Sequence, residues 1–279
     1  MTARALVVER PGLQSLIVDR GRFGFRSSGV AWCGAMDTRA YMTAQQLVGN
    51  DADAGAVEIA YGDVAVRFES NARCALTGAD CGATLDDRPV ASWTSFDVPR
   101  GAALRLGRPR GGVRTILAVD GGIDVPLVLG SRTTDMAARM GGIEGRALRA
   151  GDRLPFGRAR EAPRDTHARP PQVRSDVRVI AQPGFDALWP RLWTIGHESN
   201  RMGYRLRGEA LPHANGAMQS RAVFPGVIQL PPSGEPIVLA SDAQTTGGYP
   251  VAGVVVEEDL WMLAQLAHGS EMRFTCVSI

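Results

Sequence analysis

The apolar runs in this sequence are mostly short and are punctuated by glycine and proline within a few residues. Candidate strands lie at Leu6–Val8, Leu16–Val18, Val64–Phe68, Thr115–Val119, Val177–Ala181, Val227–Leu230, Ile237–Ala240 and Val251–Val256. The turn residues between them are drawn from 33 glycines and 17 prolines. Punctuation of this density predicts a mainly β protein built as barrels or sandwiches, because alternating βαβ units need a long helix between successive strands.

Two helices are predicted. Asp37 is placed to cap a helix running through Val48, with Tyr41, Ala44, Leu47 and Val48 on one face and Gly49-Asn50 as the stop. A second is expected over Glu257–Ala267, with acids in its first turn. A glycine-centred pattern, aliphatic-x-x-Gly-x-x-aliphatic-x-apolar, recurs at Val98–Leu106, Leu148–Phe156 and Leu266–Phe274. It reads as a turn feeding a strand whose alternate residues are buried. Arg22-Phe23-Gly24-Phe25-Arg26 also finds an echo in Arg201-Met202-Gly203-Tyr204-Arg205, which points to a duplicated barrel-like unit. Between the halves, an arginine- and proline-rich stretch predicts a linker at residues 158–176, giving domains at 1–157 and 177–279.

Composition removes several kinds of chemistry. All 31 basic residues are arginine, so this chain supplies no Walker lysine, Schiff-base lysine, biotinyl lysine or Ser-Lys nucleophile pair. With 29 acidic residues the formal net charge is +2, which argues against a nucleic-acid or anionic-lipid surface. Cys33, Cys74, Cys81 and Cys276 have no C-x-x-C spacing, and His167, His197, His213 and His268 are scattered, so structural or surface roles and no metal site are expected. No run is long enough for a membrane helix, and residues 1–12 lack the apolar core of a signal peptide; a cytoplasmic protein is the expectation.

Three segments carry candidate chemistry. In QLPPSGEPIVLASDAQTTGGYP, residues 229–250, Asp242, Gln244, Thr245 and Thr246 precede Gly247-Gly248 and Tyr249. An amide, two hydroxyls and a backbone that approaches closely suit a small amide or carboxylate; a polar hairpin turn has the same composition. In ESNRMGYRL, a strand would set Arg201 and Arg205 on one face, either as a carboxylate or phosphate clamp or as a solvated arginine face. In SSGVAWCGAMD, Asp37 is a helix cap that also offers an anion site, and Cys33 lies near the same helix start.

The runs GRFGFRSSGVAWCGAMD, LVGN, LTGADCGATLD, AVDGGIDVPLVLGSRTTD, GGIEGRALRAGD, SNRMGYRL and PGVIQLPPSGEPIVLASDAQTTGGYP together resemble one family. Its members are known as 5-oxoprolinase C subunits, allophanate hydrolase subunit 2, the biotin-dependent carboxyltransferase family or the KipA family. The likeness covers about residues 6–156 and 177–275. It implies tandem cyclophilin-like β-barrels, and a component that is inactive alone. The implied partners are a KipI-like B subunit and a lactam-utilisation-type A subunit, in a complex that uses ATP to open 5-oxoproline to glutamate. Similar modules inside urea amidolyase act as carboxyltransferase parts. Biotin, if used, must arrive on a partner, and the Ser-Ser-Lys amidase that hydrolyses allophanate is not open to a lysine-free chain.

The resemblance also implies a pocket lined by Arg201, Tyr204, Gln229, Asp242, Gln244, Thr245, Thr246 and Tyr249, with Gly247 and Gly248 beside it and Asp37 from the first barrel. Gln244 would hold the amide, Arg201 a carboxylate or phosphate, and Asp242 or Tyr204 a proton in transit. Two positions depart from the family pattern: Cys33 replaces a usual serine, and Arg221 a common acid. The alternatives are a carboxyltransferase-type component of a urea carboxylase-like system, an antagonist of a KipI-like kinase inhibitor, and a stand-alone binding barrel.

Overall fold

The computed structural model describes residues 4–159, 166–211 and 219–277. Residues 160–165 of the expected linker and His213 lie outside them. Contacts divide the chain into two units, Met1–Arg22 with Cys33–Gln172, and Phe23–Trp32 with Val173–Ile279. Most regular structure is strand, and the short candidate strands named above all form.

In the first unit, one sheet has the order Arg153–Pro155, Ala5–Pro11, Val64–Phe68, Ala103–Leu106, Thr84–Leu85, Arg88–Pro89. The other runs Gln14–Val18, Ala56–Ala60, Arg110–Val119, Ala72–Asp80, Thr94–Val98. One core joins them, with Leu6, Val66, Phe68 and Leu104 from the first sheet and Ile17, Val57, Leu76 and Leu117 from the second. The second sheet is covered on its other face as well. Leu117 and Val119 point into the shared core, whereas Ile116 and Ala118 meet the helix Thr38–Val48. A strand buried on both faces has to read as a continuous apolar run, as Ile116-Leu117-Ala118-Val119 does.

That helix forms as its sequence predicts. Asp37 Oδ1 accepts the Ala40 N–H at 2.8 Å, and Gly49 closes the helix at φ 74°. Tyr41, Ala44, Leu47 and Val48 are all buried. The three glycine-centred patterns also hold. Gly101, Gly151 and Gly269 take φ of 89°, 91° and 83°, and each leads into a strand: Ala103–Leu106, Arg153–Pro155 and Glu271–Cys276. Part of the expected linker is tied by its backbone, since Ser95 N–H donates to Thr166 and Ala168 N–H to Trp93.

The second unit closes a barrel in the order Asp176–Ala181, Val251–Val255, Val227–Gln229, Ile237–Leu239, Gly203–Arg207, Leu192–Ile195, Glu271–Cys276. The ring is completed by a parallel pairing between Asp176–Ala181 and Glu271–Cys276. Beside it, Arg221–Ala222 pairs with Thr246–Gly247. Among the described residues no helix is long and apolar enough to cross a membrane.

Two expectations need correction. The helix expected over Glu257–Ala267 is a 3-10 turn, Glu257–Asp259, followed by a short α-helix, Leu260–Leu263. Arg178 draws the Asp259 carboxylate aside, with Nε and Nη2 at 3.0 and 2.8 Å and the Arg178 N–H at 2.9 Å. Beyond Leu263 the N–H groups of Ala264, Gln265 and Leu266 each bond three residues back, so the chain tightens and no α-helix continues. The five-residue echo is not a structural repeat either. Its first copy runs into the 3-10 turn Arg26–Ser28, and its second into the strand Gly203–Arg207.

The cysteines behave as a structural set. Cys33, Cys74 and Cys81 are buried, and Cys276 is exposed. Burial pushes the Cys74 and Cys81 thiols up, and the smaller desolvation at Cys276 raises that thiol as well. A thiol-reactive disulfide reagent is therefore expected to titrate one thiol, slowly, in the native chain and all four after unfolding. Rapid native labelling of Cys33 would show that the helix start, and not burial, governs that thiol.

Candidate functional site

Arg201 lies in the turn ahead of the strand Gly203–Arg207, and its side chain is only 4% exposed. Its Nε and Nη2 donate to the two carboxylate oxygens of Asp242 at 2.8 and 2.9 Å. The backbone repeats the contact, because Asp242 N–H donates to the Arg201 carbonyl at 2.8 Å and Ala240 N–H to that of Met202 at 3.0 Å. A flat fork on a flat carboxylate fixes both planes, which a lysine could not do.

Arg201 and Arg205 do not share a face. Arg201 is buried in a turn, whereas Arg205 sits inside the strand and is exposed. The alternation argument fails because the strand starts only at Gly203. The carboxylate held by Arg201 in this structure is that of Asp242. Nearby, hydrogen bonds from its own backbone N–H and from Arg207 hold the Glu198 carboxyl below its usual range.

Gln229 ends the barrel strand Val227–Gln229 and is 1% exposed, yet its Nε2 has no hydrogen-bond partner. A buried amide donor left unpaired costs about 1–3 kcal/mol, so its presence needs a reason. It faces the backbone of Gly247, where an added Cβ would clash with Nε2. Any side chain at position 247 would fill the space in front of that amide. Thr246–Gly247 is itself held by Arg221–Ala222, and Val223 N–H donates to the Thr245 carbonyl at 3.1 Å.

The structure thus brings Arg201 to Asp242 and Gln229 to Gly247, with Gln244, Thr245 and Thr246 on the segment that joins the two pairs. Tyr204 is buried on the strand that follows Arg201, while Gly248 and Tyr249 are exposed beyond Gly247. Asp37 belongs to the first unit, where it is buried as the helix cap. Arg221, one of the two departures, is exposed and pairs with Gly247 through its backbone.

Sequence reasoning missed one contributor. Phe23–Trp32 belongs to the second unit although it precedes the helix of the first. From it, Arg26 donates to the backbone carbonyls of Val223 and Gln244. Nothing local in the sequence marks a contact of that span; the run GRFGFR is the one signal that singles out the residue.

The carboxyltransferase domain family, subdomain A and B, matches residues 28–276. The chain is 44% identical over 287 aligned positions to the 5-oxoprolinase C subunit of Escherichia coli K12, covering 98% of this chain and 92% of that protein. It is 37% identical to the 5-oxoprolinase C subunit of Haemophilus influenzae, covering 95% and 89% of the two. The solved urea amidolyase of K. lactis matches with a TM-score of 0.93 at 28% identity, over 100% of this chain and 19% of that one. The same fold is thus found both in separate subunits and within a much longer enzyme. By these matches the chain belongs to the carboxyltransferase domain family, subdomain A and B.

Proposed function

We propose that this chain is the C subunit of a multi-component, ATP-dependent 5-oxoprolinase, and that its second unit receives the lactam. The observation that carries the substrate class is the buried, unpartnered Gln229 amide facing Gly247. An N–H donor of that kind matches the carbonyl of a small cyclic amide. The relatives named as 5-oxoprolinase C subunits support the assignment to that enzyme. Opening the lactam adds water across its C–N bond. The water oxygen joins the carbonyl carbon, and the nitrogen leaves with a proton to become the amino group of glutamate.

In this reading Gln229 and Gln244 orient the amide, and Gly247-Gly248 give the ring room to approach the backbone. Tyr204 or Asp242 passes the proton. Arg201 fixes the direction of the Asp242 carboxylate. ATP acts at the level of the complex, with a KipI-like B subunit and a lactam-utilisation-type A subunit as partners. Any biotin is carried by a partner, since no lysine is present here. A second reading, a carboxyl-transfer component, is favoured by the match to urea amidolyase. Sequestration of a KipI-like inhibitor is the remaining alternative.

The test is ATP hydrolysis and glutamate formation by the chain co-purified with its A and B partners, with and without 5-oxoproline. Glutamate formed in step with ADP, and lost when this chain is omitted, is the expected result. Gln229→Leu is expected to lower turnover about tenfold or more while the complex still assembles. An assembled complex that yields no glutamate would overturn the proposal and move the weight to carboxyl transfer. Full activity in the Gln229→Leu complex would remove Gln229 from the pocket.

A further inference from the structure

The segment Phe23–Trp32 does more than connect. Its 3-10 turn is closed by Ser28 N–H to Phe25 at 3.0 Å and by Gly29 at φ 82°, so the base of Arg26 is rigid. The guanidinium carbon lies 5.0 Å from the centroid of the Trp32 ring, and Phe23 packs on the same ring at 5.4 Å. This platform sets the plane of the guanidinium before it meets anything else. One nitrogen, Nη2, then donates both to the Val223 carbonyl and to the Gln244 carbonyl, the latter at 3.1 Å.

Those carbonyls belong to adjoining segments. Val223 follows Arg221–Ala222, and its N–H already bonds Thr245, next to Gln244. Two carbonyl dipoles aimed at one point repel each other, and a single cation between them reverses the sign of that interaction. The backbone that carries Gln244 and Gly247 is therefore held on one side by the barrel, through Asp242 N–H to Arg201, and on another by Arg26.

We propose that Arg26 is a positioning residue for residues 241–249, acting through the loop backbone at Gln244 to hold Gly247 against Gln229. Its relevance to lactam binding rests on the function proposed above; the positioning itself does not. Arg26 has no counterpart in Arg205 of the echoed motif, which is exposed on a strand.

The experiment is hydrogen–deuterium exchange on the full chain, read by mass spectrometry on peptides spanning 241–249 and 251–255. Arg26→Ala is expected to speed exchange in 241–249 by about tenfold while the barrel strand Val251–Val255 keeps its protection. Arg26→Lys keeps the charge without the plane, so an intermediate rate is expected. Should Arg26→Ala fail to fold, Trp32→Leu tests the same device by removing the platform alone. Unchanged exchange in 241–249 in the folded variants would overturn the proposal. In a complex that makes glutamate, Arg26→Ala is expected to raise KM for 5-oxoproline more than it lowers kcat. Loosened exchange with unaltered kinetics in that complex would keep the positioning role and overturn its bearing on lactam binding. If the unmutated complex makes no glutamate, the substrate reading fails, and the exchange result alone decides the role of Arg26.

Discussion

Arg201→Ala is expected to cost the second unit about 3–5 kcal/mol, the usual penalty for stranding one member of a buried, hydrogen-bonded ion pair. The side chains of Arg201 and Asp242 are only 4% and 12% exposed, so water does little to replace the lost partner. For a unit of this size the loss corresponds to a fall in Tm of about 12 °C or more. Tryptophan fluorescence suits the measurement, because Trp32, Trp189, Trp193 and Trp261 all lie in the second unit and only Trp93 in the first. Arg201→Lys keeps the charge and loses the fork, so about half the effect is expected. The double variant Arg201→Met with Asp242→Leu removes both charges and is expected to regain most of the stability. If the double variant is as unstable as the single one, the cost arises from the turn backbone and not from a stranded carboxylate.

An equally large effect is expected in the first unit from Asp19→Ala. Asp19 is buried, and its carboxylate accepts from Gly21 N–H, Ser131 Oγ, Arg132 N–H and Thr133 Oγ1 at 2.8, 2.7, 2.5 and 2.6 Å. Arg22 is fully buried close by in sequence, donating to the Val128 and Thr133 carbonyls at 3.0 and 2.5 Å while its Nη1 has no partner. The anion and the cation thus share Thr133 as an intermediary. Removing the carboxylate leaves its four buried or partly buried donors unsatisfied, for an expected loss of about 4 kcal/mol or more. Asp19→Asn retains an acceptor oxygen and should lose roughly half as much. Urea unfolding followed by far-ultraviolet circular dichroism measures both; a loss below about 1 kcal/mol in Asp19→Ala would show that water replaces the carboxylate.

Features that depend on neighbours along the chain are legible in the sequence. The cap at Asp37, the buried stripe Tyr41-Ala44-Leu47-Val48 and the three glycine turns into strands each follow from local sterics and one periodicity, and each forms. Features set by partners distant in sequence are not legible. Strand alternation puts Arg201 and Arg205 on one face, and it fails because Asp242 holds Arg201 in a turn. The helix after Glu257 is short, tightening into i−3 bonds beyond Leu263, while Arg178 of a barrel strand holds the Asp259 carboxylate at its start. The buried Asp19 carboxylate leaves no trace in any pattern, since three of its four donors come from the irregular stretch after Val128. In the candidate site, residue types are readable from QLPPSGEPIVLASDAQTTGGYP, but the approach of Gln229 to Gly247 follows only from strand placement.

The early segment Phe23–Trp32 has a consequence for how the protein is made. It leaves the ribosome well before Val173, where the remainder of its unit begins. At about 5–20 residues per second, it waits on the order of ten seconds or more for that partner to be synthesised. The first unit runs to Gln172, so it is complete only as Val173 emerges, and the carbonyls that Arg26 meets, at Val223 and Gln244, follow later still. The order of the chain therefore makes the contacts of Arg26 with residues 223 and 244 among the last that its unit can form.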